Sequence, residues 1–141
     1  MTLIKDLPHG ELNLCLLLVV IVLTDSLAYF GGRKFGKTPL APGISPKKTR
    51  EGSLCGTVGS MLVGSVIAVN WLEFSWPMAL LLTFIISVLG QVGDLVESKM
   101  KRLCGVKDSG KVLPGHGGIL DRLDSFLLTT PFFYYWMLLI A

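Results

Sequence analysis

Long, uninterrupted apolar blocks constrain the fold of this chain more than any other feature. A helix that crosses a bilayer needs about 20 mostly apolar residues, and the 141-residue sequence contains four candidate blocks of that kind. They cover residues 12–30, residues 53–71, the stretch from Trp76 toward Arg102, and the stretch from about Gly118 to the C-terminus. Charged residues make up only 16% of the chain, against about 25% in typical globular proteins. The sequence predicts an all-α integral membrane protein with about four transmembrane helices, forming a single membrane domain over residues 1–141.

The positions of the cationic residues predict how these helices are oriented. Every Lys and Arg except Lys5 lies in Arg33–Arg50 or in Lys99–Arg122. These segments connect the first block to the second and the third to the fourth, so they face the same side. By the positive-inside rule, both basic loops are expected in the cytoplasm and both termini outside, in the inner (cytoplasmic) membrane. The basic loops also suit contact with anionic membrane lipid, and nothing in the sequence predicts a nucleic-acid partner.

Two further features limit what the chain is expected to contain. The polar N-terminal stretch, residues 1–13, has no small-residue cleavage site before the first apolar block, so we expect no cleavable signal peptide. The three cysteines form no CxxC or Cys/His spacing, so free thiols are expected rather than disulfides or a zinc site.

Aspartates lie inside the apolar blocks, close to the predicted cytoplasmic boundary. Asp25 precedes the end of the first block and Asp94 precedes the end of the third, while Asp121 and Asp124 begin the fourth. An Asp at a helix centre costs roughly 2.5–3.5 kcal/mol on insertion, so intramembrane carboxylates usually mark a functional site. The alternative is a buried structural hydrogen bond. Gln91 and Asp94 share one helix face. Because all these acids lie near the same membrane boundary, we expect them to line one pocket. Carboxylates that face bound phosphates typically hold Mg²⁺, so this pocket is a predicted magnesium site.

A glycine-rich basic loop precedes the fourth block. Its sequence "GVKDSGKV", Gly105–Val112, is close to a P-loop, but Val112 has no hydroxyl for a metal and the segment follows a membrane helix, so we reject that interpretation. The glycines still permit turns that expose backbone N–H groups to anions. Lys107 and Lys111 add charge to the loop. His116 is able to hydrogen-bond a phosphate, although a lone His is more often structural.

The other basic loop, residues 31–52, has a similar character. Pro39, Pro42 and Pro46 rule out a regular helix and stiffen the chain. Glu51 opens the second block, where an acid suits the helix dipole as well as it suits catalysis. Donors suited to phosphate are Ser45, Lys47, Lys48, Thr49 and Arg50.

The stretch "SKMKRLCGVKDSGKVLPGHGGILDRLD", Ser98–Asp124, resembles the signature of the phosphatidate cytidylyltransferases, or CDP-diacylglycerol synthases. The family's pattern reads S-x-Φ-K-R-x4-K-D-x-G-x2-Φ-P-x-H-G-G-Φ-x-D-R-Φ-D, where Φ is apolar, and every fixed position is matched. The stretch Asp25–Gly52 resembles the conserved block that precedes it in the family. Typical members are about twice this length, so the resemblance is to their C-terminal half.

The resemblance implies a membrane nucleotidyltransferase of phospholipid biosynthesis. It would use CTP and phosphatidic acid, or a related lipid phosphate, and release CDP-diacylglycerol and pyrophosphate. The implied cofactor is Mg²⁺, and whether a second, monovalent ion assists is left open. Metal ligands would come from Asp94, Asp121, Asp25 and Asp108. Catalytic residues would be Asp94, Asp121, Asp124, Lys107 and His116. Substrate phosphates would be held by Ser45, Lys48, Thr49, Lys101, Arg102, Lys111 and Arg122.

Two other functions remain open from the sequence. A CTP-dependent lipid kinase of the polyprenol type would release CDP and a lipid phosphate instead. A catalytically silent lipid-binding or accessory subunit would do neither, although such a subunit has no reason to keep several near-membrane aspartates. The half-length chain also implies a homodimer or a partner membrane subunit.

Overall fold

The computed structural model describes the backbone of Gly10–Gly105 and Leu120–Ile140, with side chains for residues 10–105 and 125–139. Several predicted site residues lie outside the described residues, namely Lys107, Asp108, Lys111 and His116. For three more, the side chains lie outside the description, namely Asp121, Arg122 and Asp124.

The fold consists of helices and one short β-hairpin. The elements are α1 (Gly10–Phe35), β1 (Pro39–Ala41), β2 (Ser45–Thr49), α2 (Arg50–Leu72), α3 (Trp76–Leu103) and α4 (Leu120–Ile140). In the part of the chain that the structure describes, α1, α2 and α3 are long and apolar enough to cross a membrane, and α4 contains a shorter apolar stretch, Ser125–Leu139. The predicted helical membrane architecture is confirmed at this level.

The first helix is longer than the sequence predicts. The first apolar block ends at residue 30, before the pair Gly31 and Gly32, and the prediction that the helix ends at this pair is wrong, because α1 continues to Phe35. A Cβ atom at Gly31 would lie 2.5 Å from Cβ of Cys55, and one at Gly32 would lie 3.6 Å from Cα of Gly52. The glycines therefore allow α1 and α2 to approach closely, as small residues do between membrane helices.

The basic loop between α1 and α2 forms an antiparallel hairpin. Pro39 pairs with Thr49 and Ala41 pairs with Ser45 across the two strands. Thr49 also caps α2, since its side-chain oxygen accepts a hydrogen bond from the backbone N–H of Gly52 at 3.2 Å. The last residue of the hairpin and the start of α2 are thus fixed together.

The other end of α2 turns directly into α3. Glu73 adopts a left-handed conformation (φ 55°), and its backbone N–H bonds the carbonyl of Ala68, closing the helix. Away from the hairpin, the bundle is packed around fully buried apolar side chains from α1, α3 and α4, among them Leu16, Leu17, Val20, Leu82, Ile86 and Phe133. Beside the hairpin, the helices carry polar residues such as Asp25, Gln91 and Asp94.

Candidate active site

A cavity of about 450 Å³ lies where the hairpin meets the ends of the helices. Its walls come from the last turns of α1, both strands of the hairpin, the start of α2 and the polar face of α3. The polar lining residues are Asp25, Tyr29, Arg33, Ser45, Lys47, Lys48, Thr49, Ser53, Gln91 and Asp94.

The structure brings five of the predicted site residues to this one cavity: Asp25, Ser45, Lys48, Thr49 and Asp94. They come from α1, the hairpin and α3, which are far apart in the sequence. This placement agrees with the predicted convergence of acids and bases, while the individual roles of these residues stay predictions.

An ion pair between Lys48 and Asp94 crosses the cavity. The Nζ atom of Lys48 contacts Oδ2 of Asp94, and the hydroxyl of Ser98 donates to Oδ1 at 3.4 Å. The side chains of Lys48 and Asp94 are 31% and 25% exposed, so solvent screens the pair less than it would screen a fully exposed one. The carboxylate of Asp94 therefore already binds one cationic group, the ammonium of Lys48.

A polar network continues from the cavity into the bundle. The amide of Gln91 donates to Oγ1 of Thr57 at 2.8 Å, and its carbonyl oxygen accepts from the hydroxyl of Ser53. One turn deeper, Thr24 donates to Ser87 at 3.1 Å. These hydrogen bonds join α1, α2 and α3 beside the cavity. The helical spacing predicts Gln91 on the polar face of α3, but its hydroxyl partners were not predicted. The four-residue spacing of Ser53 and Thr57 would have indicated that both lie on one face of α2.

Two predicted phosphate-binding residues at the end of α3 do not line this cavity. Lys101 lies 3.4 Å from the carboxylate of Glu97, one turn earlier on the same helix. Arg102 donates from Nε to the backbone carbonyl of Ile44 in the hairpin turn at 3.5 Å. In this structure Arg102 attaches the hairpin to α3.

Other lining residues were absent from the predicted site. Arg33 adds a cationic side chain beside Lys47, which the sequence already indicated as a donor suited to phosphate, and the ring of Tyr29 with Leu40 adds apolar surface. The signal for Arg33 was its position four residues after Tyr29, on the α1 face that carries Asp25. The cavity thus combines cationic, anionic and apolar walls.

The donor set fits a magnesium ion that arrives with a nucleotide. No group of three or more His, Cys, Asp or Glu side chains able to hold a metal occurs within residues 10–105 and 125–139. Two carboxylates, Asp25 and Asp94, nevertheless line the same cavity. Mg²⁺ is usually bound by one or two carboxylates together with substrate phosphates and water, so a closed protein cage is not required.

Comparison with known proteins identifies the family. Residues 1–140 match the family described as "Cytidylyltransferase family". The chain belongs to this family. It is 50% identical over 118 residues to the phosphatidate cytidylyltransferase of Helicobacter pylori, covering 84% of this chain and 44% of that protein. The Bacillus subtilis (strain 168) enzyme of the same name is 51% identical over 124 residues, covering 87% and 46%. This cytidylyltransferase-family chain therefore spans a little under half the length of these relatives.

A solved structure shares the fold of this cytidylyltransferase-family chain. It is described as an intramembrane enzyme for archaeal membrane lipids biosynthesis, and it superposes with a TM-score of 0.58. The match covers 84% of this chain and 76% of that one at 20% identity. At that identity the likeness establishes the fold alone.

The resemblance predicted from the signature Ser98–Asp124 is confirmed by the sequence relatives.

Proposed function

We propose that this chain is the nucleotide-binding, catalytic half of a phosphatidate cytidylyltransferase. It would transfer the cytidylyl group of CTP to phosphatidic acid or a related lipid phosphate, giving CDP-diacylglycerol and pyrophosphate. The observation that carries the proposal is the cavity in which Asp25 and Asp94 face Arg33, Lys47 and Lys48. Both substrates are polyanions, and clustered Lys and Arg donors suit their phosphates.

The cavity residues divide the binding between them. Ser45 and Thr49 supply hydroxyl groups, and Arg33, Lys47 and Lys48 supply positive charge for phosphate oxygens. Asp94, with Asp25, would hold Mg²⁺, which when bound neutralises charge on the nucleotide phosphates. Lys48 contacts Asp94, so its ammonium group would lie beside the carboxylate that holds the metal and would add positive charge for phosphate oxygens there.

The reaction needs positioning more than proton transfer. An oxygen of the lipid phosphate attacks the α-phosphorus of CTP in line, and the bond from that phosphorus to the β-phosphate oxygen breaks to release pyrophosphate. The attacking phosphate is already anionic at neutral pH, so no strong general base is required. The cationic walls hold the reacting groups together and neutralise the leaving pyrophosphate, which are the main sources of acceleration in such transfers.

The apolar side of the cavity suits the lipid. Ala28, Tyr29 and Leu40 lie beside the charged residues, and Tyr29 is 63% exposed at the α1 surface. A lipid phosphate can therefore enter with its head group among the cations and its glycerol against these apolar side chains.

The signature Ser98–Asp124, which begins in the last turns of α3, would complete the site. Roles for Lys101, Arg102 and the residues from Lys107 to Asp124 remain predictions. Support comes from α4, whose Ser125 lies beside Gly90, with 3.8 Å between Cβ of Ser125 and a Cβ built on Gly90. Gly90 is one turn before Asp94, so α4 begins near the level of the cavity. Asp121 precedes Ser125 by one turn of α4, and its role as a metal ligand together with Asp94 stays a prediction.

We further propose that the chain crosses the inner membrane four times, with the cavity facing the cytoplasm and both termini outside. The hairpin end of the bundle carries the cationic cavity, whereas the α2–α3 turn, residues 73–75, contains no Lys or Arg. The proposal also includes a second copy of the chain or a partner membrane subunit that would help to enclose the lipid.

Product analysis tests the activity. Purified protein in detergent is incubated with phosphatidic acid, Mg²⁺ and CTP labelled at the α-phosphate, and labelled CDP-lipid with pyrophosphate is the expected result. In a parallel reaction with a lipid alcohol such as a polyprenol in place of phosphatidic acid, release of CDP with a lipid phosphate would instead identify a lipid kinase. Failure to bind CTP would favour the accessory role. In an active preparation, Asp121→Asn should abolish turnover, and retained activity would remove Asp121 from the metal site.

A further inference from the structure

The carboxylate of Glu51 connects the two ends of the hairpin segment. Its Oε2 atom accepts the backbone N–H of Lys37 at 3.1 Å and that of Thr38 at 3.2 Å, and its Oε1 also accepts from Thr38 at 3.2 Å. Next to it, the backbone N–H of Arg50 donates to the carbonyl of Thr38 at 2.9 Å. The chain that leads into β1 is therefore bound to the first turn of α2.

The segment closed in this way carries much of the cavity wall. Between Thr38 and Arg50 lie Leu40 and the four polar hairpin residues of the cavity, Ser45, Lys47, Lys48 and Thr49. Two strands of three and five residues are too short to be stable alone in water. Their position depends on what holds them. Glu51 holds the base of the hairpin, and Arg102 contacts its turn at Ile44.

We propose that Glu51 is a positioning residue of this site: its carboxylate fixes the base of the hairpin and so sets where the hairpin donors meet the substrate phosphates. Glu51 does not line the cavity itself, so it acts through the residues it holds. The kinetic part of this inference rests on the proposed function. The structural part, a hairpin that Glu51 clamps, does not.

An acid in the first turn of a helix also has a simpler explanation, which is interaction with the helix dipole. The two accounts predict opposite orders for two conservative variants. In Glu51→Asp the charge stays but the carboxylate is one methylene shorter and no longer reaches Lys37 and Thr38. In Glu51→Gln the charge is lost, but the amide oxygen at the Oε2 position still accepts both N–H groups. If Glu51 clamps the hairpin, Glu51→Gln should keep the protease resistance and the KM of the wild type better than Glu51→Asp does. If Glu51 acts only through the helix dipole, Glu51→Asp should keep them better.

The first measurement is limited trypsin digestion of the purified protein, with mass spectrometry of cleavage after Lys37, Lys47 and Lys48. Glu51→Ala removes the acceptor of all these hydrogen bonds and frees the base of the hairpin, so cleavage should rise roughly tenfold or more. Glu51→Asp should resemble Glu51→Ala, while Glu51→Gln should stay near the wild type. Glu73→Gln, at the opposite end of α2, is the matched control and should leave cleavage unchanged.

The second measurement is the steady-state kinetics of the same variants. We expect the KM for CTP to rise about tenfold in Glu51→Ala and Glu51→Asp with kcat within about twofold, because the hairpin donors bind the nucleotide before and during the reaction. Better function of Asp than of Gln, or unchanged cleavage and KM in Glu51→Ala, would overturn the clamp. A wild-type protein without cytidylyl transfer would overturn the proposed function, and the digestion would still decide the clamp.

Discussion

The two halves of the helical bundle differ in what their side chains do. Away from the hairpin, contacts between α1 and α3 are made by fully buried apolar residues such as Leu16, Leu82 and Ile86. Beside the hairpin, the contacts are hydrogen bonds and an ion pair, with Gln91 and Asp94 at their centre. Apolar packing contributes stability, whereas a polar network mainly fixes geometry, since each group must first give up water. Substitutions in the two halves should therefore separate stability from activity.

The sharpest test on the polar side is Asp94→Asn. Loss of the carboxylate removes the cation-binding charge from the cavity, and removing one electrostatic group from an active site typically costs about 10²–10³-fold in kcat. We expect the rate of CDP-lipid formation to fall by about 10³-fold. The melting temperature in detergent should stay within a few degrees of that of the wild type. Glu73→Gln is the control. Normal turnover in Asp94→Asn would remove this carboxylate from the site.

On the apolar side, Leu82→Ala tests the opposite outcome. Leu82 is fully buried, and its truncation should reduce the free energy of unfolding by about 2–5 kcal/mol. Activity per folded molecule should be unchanged. Leu81→Ala is the matched control, because the neighbouring Leu81 is 50% exposed and should lose little. A lower specific activity of Leu82→Ala protein that remains folded would contradict the separation of stability from activity between the two halves.

Gly56→Ala tests the close contact between α1 and α2, which both halves of the bundle share. An added Cβ would lie 2.6 Å from the backbone oxygen of Thr24 and 2.9 Å from Cβ of Ala28, so α1 must move away from α2. Overpacking of this kind costs roughly 1–3 kcal/mol, and we expect both melting temperature and activity to fall. Gly43→Ala, where an added Cβ meets nothing within 4 Å, should change neither. Equal behaviour of the two variants would contradict the close approach of α1 and α2.

The smallest effect is expected for Gln91→Met. This change removes the hydrogen bonds to Thr57 and Ser53 while keeping a side chain of similar length. Hydrogen bonds between membrane helices contribute about 0.6 kcal/mol each on average, so the loss of two should lower stability by about 1.2 kcal/mol and activity by about threefold. Unfolding in detergent and initial rates measure the two effects. An activity loss as large as that of Asp94→Asn would place Gln91 among the catalytic groups.

Several features of the site could be predicted because they depend on local periodicity. The apolar blocks gave three of the helices nearly in full, and the helical spacing placed Gln91 and Asp94 on one face of α3, where both line the cavity. Asp25 was expected at the same level from its position near the end of α1. These inferences need only the length and the rise of a helix.

Other features depend on contacts that the sequence does not encode locally. Gly31 and Gly32 are a normal signal for a helix end, yet packing against Gly52 and Cys55 keeps α1 helical through them. The prolines of the basic loop excluded a helix but did not indicate which residues pair in the hairpin. The pairing of Lys48 with Asp94 depends on how α2 and α3 pack beside that hairpin, which no pattern in either segment reports.

Thr49 limits how the hairpin can vary in length. It ends β2, caps α2 and lines the cavity, so an insertion or deletion beside it would shift three structures at once. The turn at Pro42 and Gly43 is exposed and makes no such contacts at the glycine, and exposed loop tips are where extra residues are tolerated. Natural length differences among related chains, and any epitope or fluorescent label added to this segment, therefore belong at the tip of the hairpin.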